Sequence, residues 1–440
     1  MRILFLTQYF PPETGAAQNR LSDLAARLAT VGHEVVVLTA LPSYPKGEIF
    51  EAYRGRFLVT ENESYRTLRV WTIVTKNKNF LQRILNYLSF AVFALIVGAF
   101  KVGKIDVLYV ESPPLFLAVA GFILGKLKHA KFVLNVSDLW PDSAVTLGML
   151  HNPWLIRWAT RVEEGLYRRA SLVTGQTQGI IGSIRRRCPM TEPLLLTNGV
   201  TPEFLASVEM ARGAHERTRK EFGLGSQLIV AYTGVHGLAQ GLETIIRAAE
   251  ILKEHEDIQF LFLGDGPEKS RLRAMTIDKK LNNVRFLDTE PSSRMPEILA
   301  AIDVSLVPLK RHDLFRGALP SKLFEAMGAG VPVIVGIEGE ARSLVESSGG
   351  GFAVEPDNPD ELARVVLLLH RDPVLRQSLG VRGRAYVRKF YDRKRIAQEL
   401  EQSLVGITTG QGEIAKGSTR STDLESSEEA IEVAGRNFSE

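Results

Sequence analysis

The chain has 440 residues and a hydrophobic content of 45%, which is enough for two or three domains with large buried cores. Its single cysteine, Cys188, excludes an internal disulfide, and no basic and apolar leader precedes the first predicted strand, so we expect a cytoplasmic protein. The net charge is +4, and the tail of residues 405–440 is acidic, so residues 1–404 carry about +8. This excess favours a phosphate-rich substrate or an anionic membrane surface as partner. Nucleic acid is disfavoured, because the basic residues are spread along the chain without a zinc-finger or RNA-recognition pattern.

Short apolar, β-branched runs alternate with helical stretches along residues 1–404, a pattern typical of buried parallel strands. The first set of predicted strands is residues 3–7, 35–38, 107–110, 132–136, 172–174 and 194–197. The second set is residues 228–232, 260–263, 284–286, 304–307 and 331–335. We therefore predict an α/β chain with two Rossmann-like, doubly wound parallel-sheet domains that face each other across a ligand-binding cleft.

The predicted domains are residues 1–205 and residues 206–389, with residues 390–404 packing back onto the first domain. A polar, charged stretch over residues 209–221 lies between the two sets of strands and predicts one connecting helix. Residues 405–440 are rich in Gly, Ser, Thr and Glu and lack apolar periodicity, so we expect a disordered polar tail.

The stretch from Ile84 to Phe100 is apolar apart from three polar residues, and basic residues flank it at Arg83, Lys101 and Lys104. Its length of about 17 residues is at the lower limit for a membrane span. A buried core helix, a transmembrane span and a helix lying in the membrane interface all fit this composition. We favour the interfacial helix, with its basic ends on lipid phosphates, since a span would divide the first domain.

The segment over residues 319–334 combines a predicted helix start, a carboxylate near that start and a return to strand. Ser321 is expected to cap a helix that ends at Gly330, and its first amides would attract an anion such as a diphosphate. Lys322 would bind the same diphosphate, and Glu325 would accept hydrogen bonds from vicinal ribose hydroxyls. The alternative is an ordinary capped helix in which the glutamate interacts favourably with the helix dipole and binds no ligand. The residues predicted to bind a nucleotide here are Leu319, Pro320, Ser321, Lys322 and Glu325.

Two further loops follow predicted strands and carry glycine. In residues 9–17, Gly15 and Ala16 would let a ligand approach the backbone; a rigid Pro-Pro turn without a ligand is the alternative. The second loop is expected to place its amides on the base or ribose, although any tight strand-to-helix turn can have this sequence. Its residues are Gly264, Asp265, Gly266 and Pro267.

These segments together resemble a known family. The Gly-Asp-Gly-Pro turn, Asn-Gly-Val at residues 198–200, and residues 324–327 followed by 330–333 look like the retaining glycosyltransferases of family 4, which have the two-domain GT-B fold. The resemblance covers nearly all of residues 1–404. Residues 138–143 and 232–242 are similar to a bacterial branch that makes capsule, O-antigen or exopolysaccharide and includes N-acetylfucosaminyl transferases.

The resemblance implies roles for particular residues. Glu325 corresponds to the second glutamate of the family's Glu, seven residues, Glu motif, but Gly317 stands where the first is expected. Val235 and Gln240 stand where many members carry an Arg and a Lys on the donor diphosphate. The residues of this loop that we still expect beside the donor are Gly234, His236 and Gln240.

Both departures remove groups that would contact the donor, so other cations must offset the charge of the departing diphosphate. The basic residues around the motif are Lys310, Arg311, Arg316 and Lys322. We predict catalytic roles for Arg316 and Lys322, because an arginine binds phosphate oxygens bidentately and a lysine is a mobile point charge. A solvated loop charge is the alternative for each.

Asp138 follows a predicted strand at its carboxyl end, where open α/β sheets bind ligands. We predict that Asp138 orients or deprotonates the acceptor hydroxyl; helix capping by Asp138 or Asp142 is the alternative. No set of His, Cys and carboxylate residues has metal-ligand spacing, so we expect no bound metal and no cofactor besides the nucleotide-sugar substrate.

The resemblance therefore implies a metal-independent, retaining glycosyltransferase at the inner membrane face. Its second domain would bind a nucleotide sugar, which we expect to be a UDP-linked N-acetylated or deoxy hexose, and its first domain a polyprenyl-diphosphate-linked saccharide acceptor. A sugar-nucleotide epimerase is one alternative, since it can share the architecture but needs no lipid acceptor. A non-catalytic nucleotide-sugar-binding scaffold of a polysaccharide assembly is the other, favoured by the missing glutamate and cations.

Overall fold

The computed structural model describes residues 1–44, 47–74, 80–146, 148 and 150–410. They form two compact units, one built from Met1–Thr197 and the chain from Arg395 onward, the other from Asn198–Lys394. The second unit begins before the predicted boundary at residue 206, because the Val200 amide donates to the Tyr391 carbonyl and the Arg393 amide to the Val200 carbonyl, both at 2.9 Å. Backbone bonds thus hold both ends of this unit together.

The first unit contains an eight-stranded sheet. Its strands are β1 (Arg2–Leu6), β2 (Glu34–Ala40), β3 (Leu58–Asn62), β4 (Arg66–Val70), β5 (Val107–Ser112), β6 (Lys131–Val136), β7 (Leu172–Gly175) and β8 (Leu194–Leu195). They lie in the order β3-β4-β2-β1-β5-β6-β7-β8, and every pairing is parallel except that of edge strand β3 with β4. The sequence pattern predicts neither β3 nor β4, because each contains only two apolar residues and so lacks an apolar run.

Helices cover both faces of this sheet. They are α1 (Ala16–Thr30), α2 (Phe80–Lys101), α3 (Leu115–Lys128), α4 (Asp142–Thr146), α5 (Pro153–Tyr167) and α6 (Gln178–Arg187). Phe90 of α2, Leu117 of α3 and Ala159 of α5 share a core with Leu4 and Leu6 of β1, so α2, α3 and α5 lie on the same face. By length and composition α2 is able to cross a membrane. The other face is covered by α1 and by the last helix of the chain.

The second unit contains a six-stranded, all-parallel sheet in the order β11-β10-β9-β12-β13-β14. Its strands are β9 (Leu228–Thr233), β10 (Ile258–Leu263), β11 (Val284–Leu287), β12 (Val304–Pro308), β13 (Val333–Gly336) and β14 (Gly351–Ala353). The eleven predicted strands are all present, and the prediction of two doubly wound α/β domains is confirmed. The three-residue strand β14 was not predicted.

The remaining helices follow in chain order. They are α7 (Pro202–Ala211), α8 (His215–Glu221), α9 (Glu243–Ile251), α10 (Lys269–Asp278), α11 (Met295–Ala301), α12 (Ser321–Ala329), α13 (Glu340–Ser348), α14 (Pro359–Arg371), α15 (Pro373–Phe390) and α16 (Arg393–Thr409). The single helix predicted over residues 209–221 is wrong, because a 3-10 turn at Arg212–Ala214 separates α7 from α8. Helix α16 continues five residues into the predicted tail, and residues 411–440 lie outside the described part of the chain.

Candidate functional site

Two strand-to-helix loops of the second unit meet at the carboxyl edge of its sheet. Thr233 at the end of β9 pairs with Leu263 at the end of β10, so the loops over residues 234–237 and 264–267 start side by side. The Gly234 amide donates to the Leu263 carbonyl at 2.9 Å, and the His236 amide donates to the Asp265 carbonyl at 2.8 Å. The two loops therefore form one hydrogen-bonded backbone platform.

The glycines of this platform permit the close approach of one loop to the other. Gly264 has φ 138°, and a Cβ there would lie 2.0 Å from the Gly234 carbonyl oxygen. A Cβ on Gly266 would lie 2.5 Å from the His236 carbonyl oxygen. Buried Lys269 supports the turn, since its Nζ donates to the Gly264 carbonyl and to Asp288 Oδ1, both at 2.8 Å. The unusual dihedrals expected of these glycines thus serve backbone packing.

We expect Gly264→Ala to destabilise the second unit by about 3 kcal/mol, because the new methyl group collides with backbone in a strained conformation. Thermal unfolding and donor titration of the same samples measure the effect. Gly213→Ala is the matched control, since a Cβ on Gly213 has no atom within 4 Å. An equal unfolding midpoint in the two variants would contradict the tight approach.

Lys322 connects helix α12 to this platform. Its half-buried side chain places Nζ 3.8 Å from the centroid of the Tyr232 ring, in cation–π geometry. The same Nζ lies 3.0 Å from the position that a Cβ on Gly234 would take. Burial lowers the pKa of Lys322 to about 7, although Glu325 opposes this shift. A diphosphate at this point would supply the negative charge that the ammonium lacks in the free protein.

The start of α12 differs from the prediction by one residue. Pro320 occupies the N-cap and Ser321 is the first helical residue, without a side-chain capping bond. The Leu323 amide donates to the Pro320 carbonyl at 3.0 Å. The helix ends at Gly330, whose φ of 76° is left-handed, as predicted. The positive end of the α12 dipole therefore lies beside Lys322.

Glu325 lies one turn after Lys322, on the same side of α12. Its half-buried carboxyl has a pKa raised by burial, while Arg393 and Lys322 act to lower it. Arg393 is itself held in place, with Nη2 donating to Asn198 Oδ1 at 2.7 Å. The structure thus brings Gly234, Lys322 and Glu325 together, and they present an anion site next to a hydrogen-bond acceptor.

Arg316 has a different environment. It lies in the 3-10 turn Asp313–Gly317, its side chain is 59% exposed, and Nη1 is 3.6 Å from Glu338 and 3.9 Å from Asp313. Arg311 pairs with Glu338 and with Glu355. The contacts of Arg316 are thus with carboxylates, whereas those of Lys322 are with the glycine platform.

The His236 ring faces the interior of the second unit. It is fully buried among Tyr232, Phe262 and Phe286, with ring centroids 5.8 to 6.2 Å apart. Neither ring nitrogen has a hydrogen-bond partner among the described residues, and burial lowers the pKa of His236 to about 4. The ring is therefore neutral and does not reach the surface where we expect the donor; only the His236 backbone is part of the platform.

Gln240 lies at the end of the 3-10 turn Leu238–Gln240. Its Oε1 lies 2.6 Å from the position that a Cβ on Gly237 would take, so the side chain folds over its own turn. The Lys310 amide donates to the Ala239 carbonyl at 2.8 Å, which ties this turn to the end of β12. Gln240 has a packing role in this conformation.

The other predicted residues lie in the first unit. Gly15 precedes α1, and Ala16 is its first residue. The preceding loop is held by Glu13, a buried carboxylate that accepts hydrogen bonds from the amides of Ser43 and Tyr44 at 2.7 and 2.8 Å. This rigid loop fits both interpretations, a Pro-Pro turn without a ligand and a ligand-binding loop.

Asp138 is half-buried in the loop before α4, and its carboxylate accepts hydrogen bonds from the Ser143 hydroxyl and the Leu139 amide. Burial raises the pKa of Asp138 despite both bonds. Neither bond comes from a backbone amide of α4, so these contacts do not show the capping alternative. The raised pKa is what a proton acceptor requires.

Sequence reasoning missed a buried polar network at the carboxyl ends of β5 and β6. Arg20 Nη2 donates to Glu111 Oε1 at 2.8 Å, and Asn135 Nδ2 donates to Glu111 Oε2 at 2.6 Å. The Ser137 hydroxyl bonds to the same carboxylate and precedes Asp138 in the chain. The sequence feature that could have revealed this network is a polar residue in each of two mostly apolar strands, Glu111 in β5 and Asn135 in β6. This network holds the backbone next to Asp138 at a fixed position.

Two family models match the chain. Residues 215–386 match glycosyl transferases group 1, and residues 15–199 match the glycosyl transferase 4-like domain, so the matches together cover most of both units. The chain belongs to the GT-B glycosyltransferases.

Relatives of this glycosyltransferase extend over its full described length. The putative colanic acid biosynthesis glycosyl transferase WcaI of Escherichia coli is 26% identical over 420 residues, which cover 92% of this chain and 100% of WcaI. Sucrose-phosphate synthase from Thermosynechococcus elongatus superposes with a TM-score of 0.73 at 18% identity, covering 93% of this chain and 99% of the synthase. Anabaena HepE, solved in complex with UDP-glucose, superposes with a TM-score of 0.69 at 18% identity, covering 92% of this chain and 100% of HepE. These two likenesses show the fold.

Within the described ranges, this glycosyltransferase has no group of three or more His, Cys, Asp or Glu residues arranged to hold a metal ion. Its candidate donor site contains a lysine and a helix N-terminus. The two departures from the family motif are visible in the structure: Gly317, which has no side chain, ends the turn Asp313–Gly317, and Val235 of the platform is 55% exposed.

Proposed function

We propose that this glycosyltransferase binds a nucleotide-diphosphate sugar at the carboxyl edge of the second unit's sheet and transfers its sugar to a precursor of a bacterial surface polysaccharide. The observation that carries the proposal is the position of Lys322, against the Tyr232 ring and the Gly234 backbone, one turn before Glu325 at the start of α12. This arrangement offers a cation and a helix dipole for a diphosphate and a carboxylate for a ribose.

Lys322 and the first amides of α12 stabilise the charge that develops on the departing diphosphate. Glu325 fixes the nucleotide by accepting hydrogen bonds from its ribose hydroxyls. The acceptor hydroxyl then attacks the oxocarbenium-like sugar on the face that the diphosphate leaves, with retention of anomeric configuration, as in the family 4 enzymes that the sequence resembles. Asp138, with its raised pKa, orients the acceptor hydroxyl and accepts its proton. Because charge neutralisation comes from the chain itself, we propose that transfer needs no metal.

The proposed substrate classes are supported by one relative and by the sequence resemblance. WcaI is named for colanic acid biosynthesis, and the sequence resembles the surface-polysaccharide branch of family 4. We propose a UDP-linked N-acetylated or deoxy hexose as donor and a polyprenyl-diphosphate-linked saccharide as acceptor, with the first unit binding the acceptor. An acceptor of this kind lies in a membrane, which is consistent with a cytoplasmic enzyme attached to the inner membrane face through α2.

The deciding experiment incubates the purified protein with a panel of nucleotide sugars, with and without a lipid-linked bacterial acceptor, and analyses products by mass spectrometry. We expect product and free nucleotide only when donor and acceptor are both present. An isomerised donor without acceptor would instead establish an epimerase. Donor binding without any product would establish a non-catalytic nucleotide-sugar-binding scaffold.

A further inference from the structure

Helix α2 exposes its apolar residues. Between Ile84 and Phe100 every exposed position is apolar, and Phe100 at the end of the helix is 83% exposed. The exposed positions are spaced by three or four residues, so they form one row about 22 Å long. The row consists of Leu85, Leu88, Val92, Ile96 and Phe100.

Two polar residues of α2, Asn86 and Ser89, bond to the first unit. Asn86 Oδ1 accepts from Gln8 Nε2 at 2.5 Å, and Asn86 Nδ2 donates to the Ile73 carbonyl at 2.7 Å. The Ser89 hydroxyl lies 2.9 Å from the Thr72 hydroxyl. The polar interruptions of the apolar stretch thus fix the helix to the domain, and apolar residues lie on both its buried and its exposed side. An ordinary surface helix has a polar outer side, which α2 lacks between Ile84 and Phe100.

The other end of α2 is fixed equally firmly. Lys128 Nζ of α3 donates to the carbonyls of Ala99 and Val102 at 2.8 and 2.5 Å. Gly98 brings α2 close to α3, since a Cβ there would lie 2.5 Å from Leu124. Crossing a membrane would break these contacts and those of Asn86 and Ser89. A helix fixed in this way lies along a membrane surface instead of crossing it.

Two neighbouring helices extend the exposed apolar surface. α3 contacts both α2 and α5, and all three pack on the same face of the sheet, so their outer residues point the same way. On α5, Trp154 is 66% exposed and Trp158 is 47% exposed. Tryptophan is enriched where a protein meets the membrane interface. The further exposed apolar residues are Ile123 and Leu127 of α3 and Leu155 of α5.

The charged residues of α2 and α3 are of one sign, and on α5 Glu163 is buried while Glu164 pairs with Arg168 and Arg187. Residues 80–104 and 115–131 contain no aspartate or glutamate. Lys128 points inward. The other lysines and arginines of these two segments are Arg83, Lys101, Lys104, Lys126 and Lys131. Helix α5 adds two exposed arginines, Arg157 and Arg161. An apolar surface bordered by cations complements the acyl chains and phosphates of an anionic bilayer.

We propose that α2, α3 and α5 form a single surface that lies in the plane of an anionic bilayer, with Trp154 and Trp158 as interfacial anchors. This inference extends the membrane contact of the proposed function from one helix to three, and its test is independent of sugar transfer. The bilayer is the occupant because the surface combines apolar rows, interfacial tryptophans and an excess of positive charge.

The test is sedimentation of the full chain with vesicles of phosphatidylethanolamine and phosphatidylglycerol, compared with phosphatidylcholine alone. We expect the double variants Val92→Asp/Ile96→Asp and Trp154→Ser/Trp158→Ser to bind the anionic vesicles at least about tenfold more weakly than the wild type, because each loses buried apolar area. The matched control is Ile277→Asp/Val374→Asp, which alters residues that are 75% and 77% exposed in the second unit.

Charge variants test the second part of the proposal. Lys101→Glu and Lys126→Glu should each reduce binding to anionic vesicles about fivefold or more, with no effect on phosphatidylcholine, since each cation near the surface contributes about 1 kcal/mol. Brominated lipids should quench the fluorescence of the wild type, and this quenching should fall in Trp154→Phe/Trp158→Phe. Donor titration of the same samples should be unchanged, which separates failure of membrane binding from failure of the proposed catalytic site.

Three results would overturn the proposal. The first is vesicle binding by the α2 and α5 variants equal to that of the control. The second is resistance of the membrane-bound protein to extraction by alkaline carbonate, which would show that α2 spans the bilayer. The third is a dimer, measured by light scattering, that the same variants convert to a monomer, because the surface would then bind a second copy of the chain.

Discussion

Lys322→Met is expected to lower kcat about 10²- to 10³-fold while weakening donor binding less, because the ammonium interacts most strongly with the diphosphate as its charge develops. Methionine preserves most of the volume against Tyr232 and removes the charge, so the fold should be retained. Steady-state kinetics with the donor and acceptor that the product analysis identifies measure kcat, and calorimetry measures donor affinity. Arg316→Met is the informative comparison: its exposed guanidinium already pairs with Glu338, so its effect should be much smaller.

The pH dependence of donor binding checks the same assignment. In the free protein the pKa of Lys322 is lowered to about 7, so the ammonium is charged below this pH and neutral above it. A bound diphosphate raises this pKa, and binding above pH 7 must therefore take up a proton. Donor affinity should be constant below pH 7 and fall about tenfold per unit above it, up to the pKa of the complex. A flat profile, or a slope retained in Lys322→Met, would assign the charge to another residue.

The periodicity of the apolar runs was sufficient to predict the two α/β domains. Parallel strands covered on both sides, such as β9 and β10, have continuous apolar sequences that a helix-covered sheet requires. Edge strand β3 and its neighbour β4 have no such signature, since their register depends on pairing with each other and, for β4, with β2. The start of α12 was predicted to within one residue, because the Leu-Pro-Ser sequence marks a helix boundary locally.

The candidate site was predictable in part. The sequence placed Arg316 and Lys322 equally near the motif, and only the fold separates them, because Lys322 lies in the first turn of α12 and Arg316 lies on an exposed turn. His236 illustrates the same limit: a loop residue between glycines looks accessible, but the aromatic side chains of β9, β10 and β11 enclose its ring. The composition of α2 likewise suggested a membrane helix without showing which side faces outward. Side-chain direction depends on tertiary packing, which one sequence does not reveal.

Glu325→Ala is expected to weaken donor binding about 10- to 100-fold or more, since a hydrogen bond to a charged group contributes about 1.5–3 kcal/mol and the ribose offers two hydroxyls. Donors with 2′-deoxyribose make the test specific. The wild type should lose affinity for the 2′-deoxy donor, whereas Glu325→Ala should bind both donors equally, because the partner of the 2′-hydroxyl is already absent. Glu361→Ala is the control, because it also removes a carboxylate from the first turn of a helix, α14. That carboxylate accepts a hydrogen bond from the Glu355 amide. If Glu325→Ala still distinguished the two donors as the wild type does, the ribose would bind elsewhere, and the raised pKa of Glu325 would reflect its burial alone.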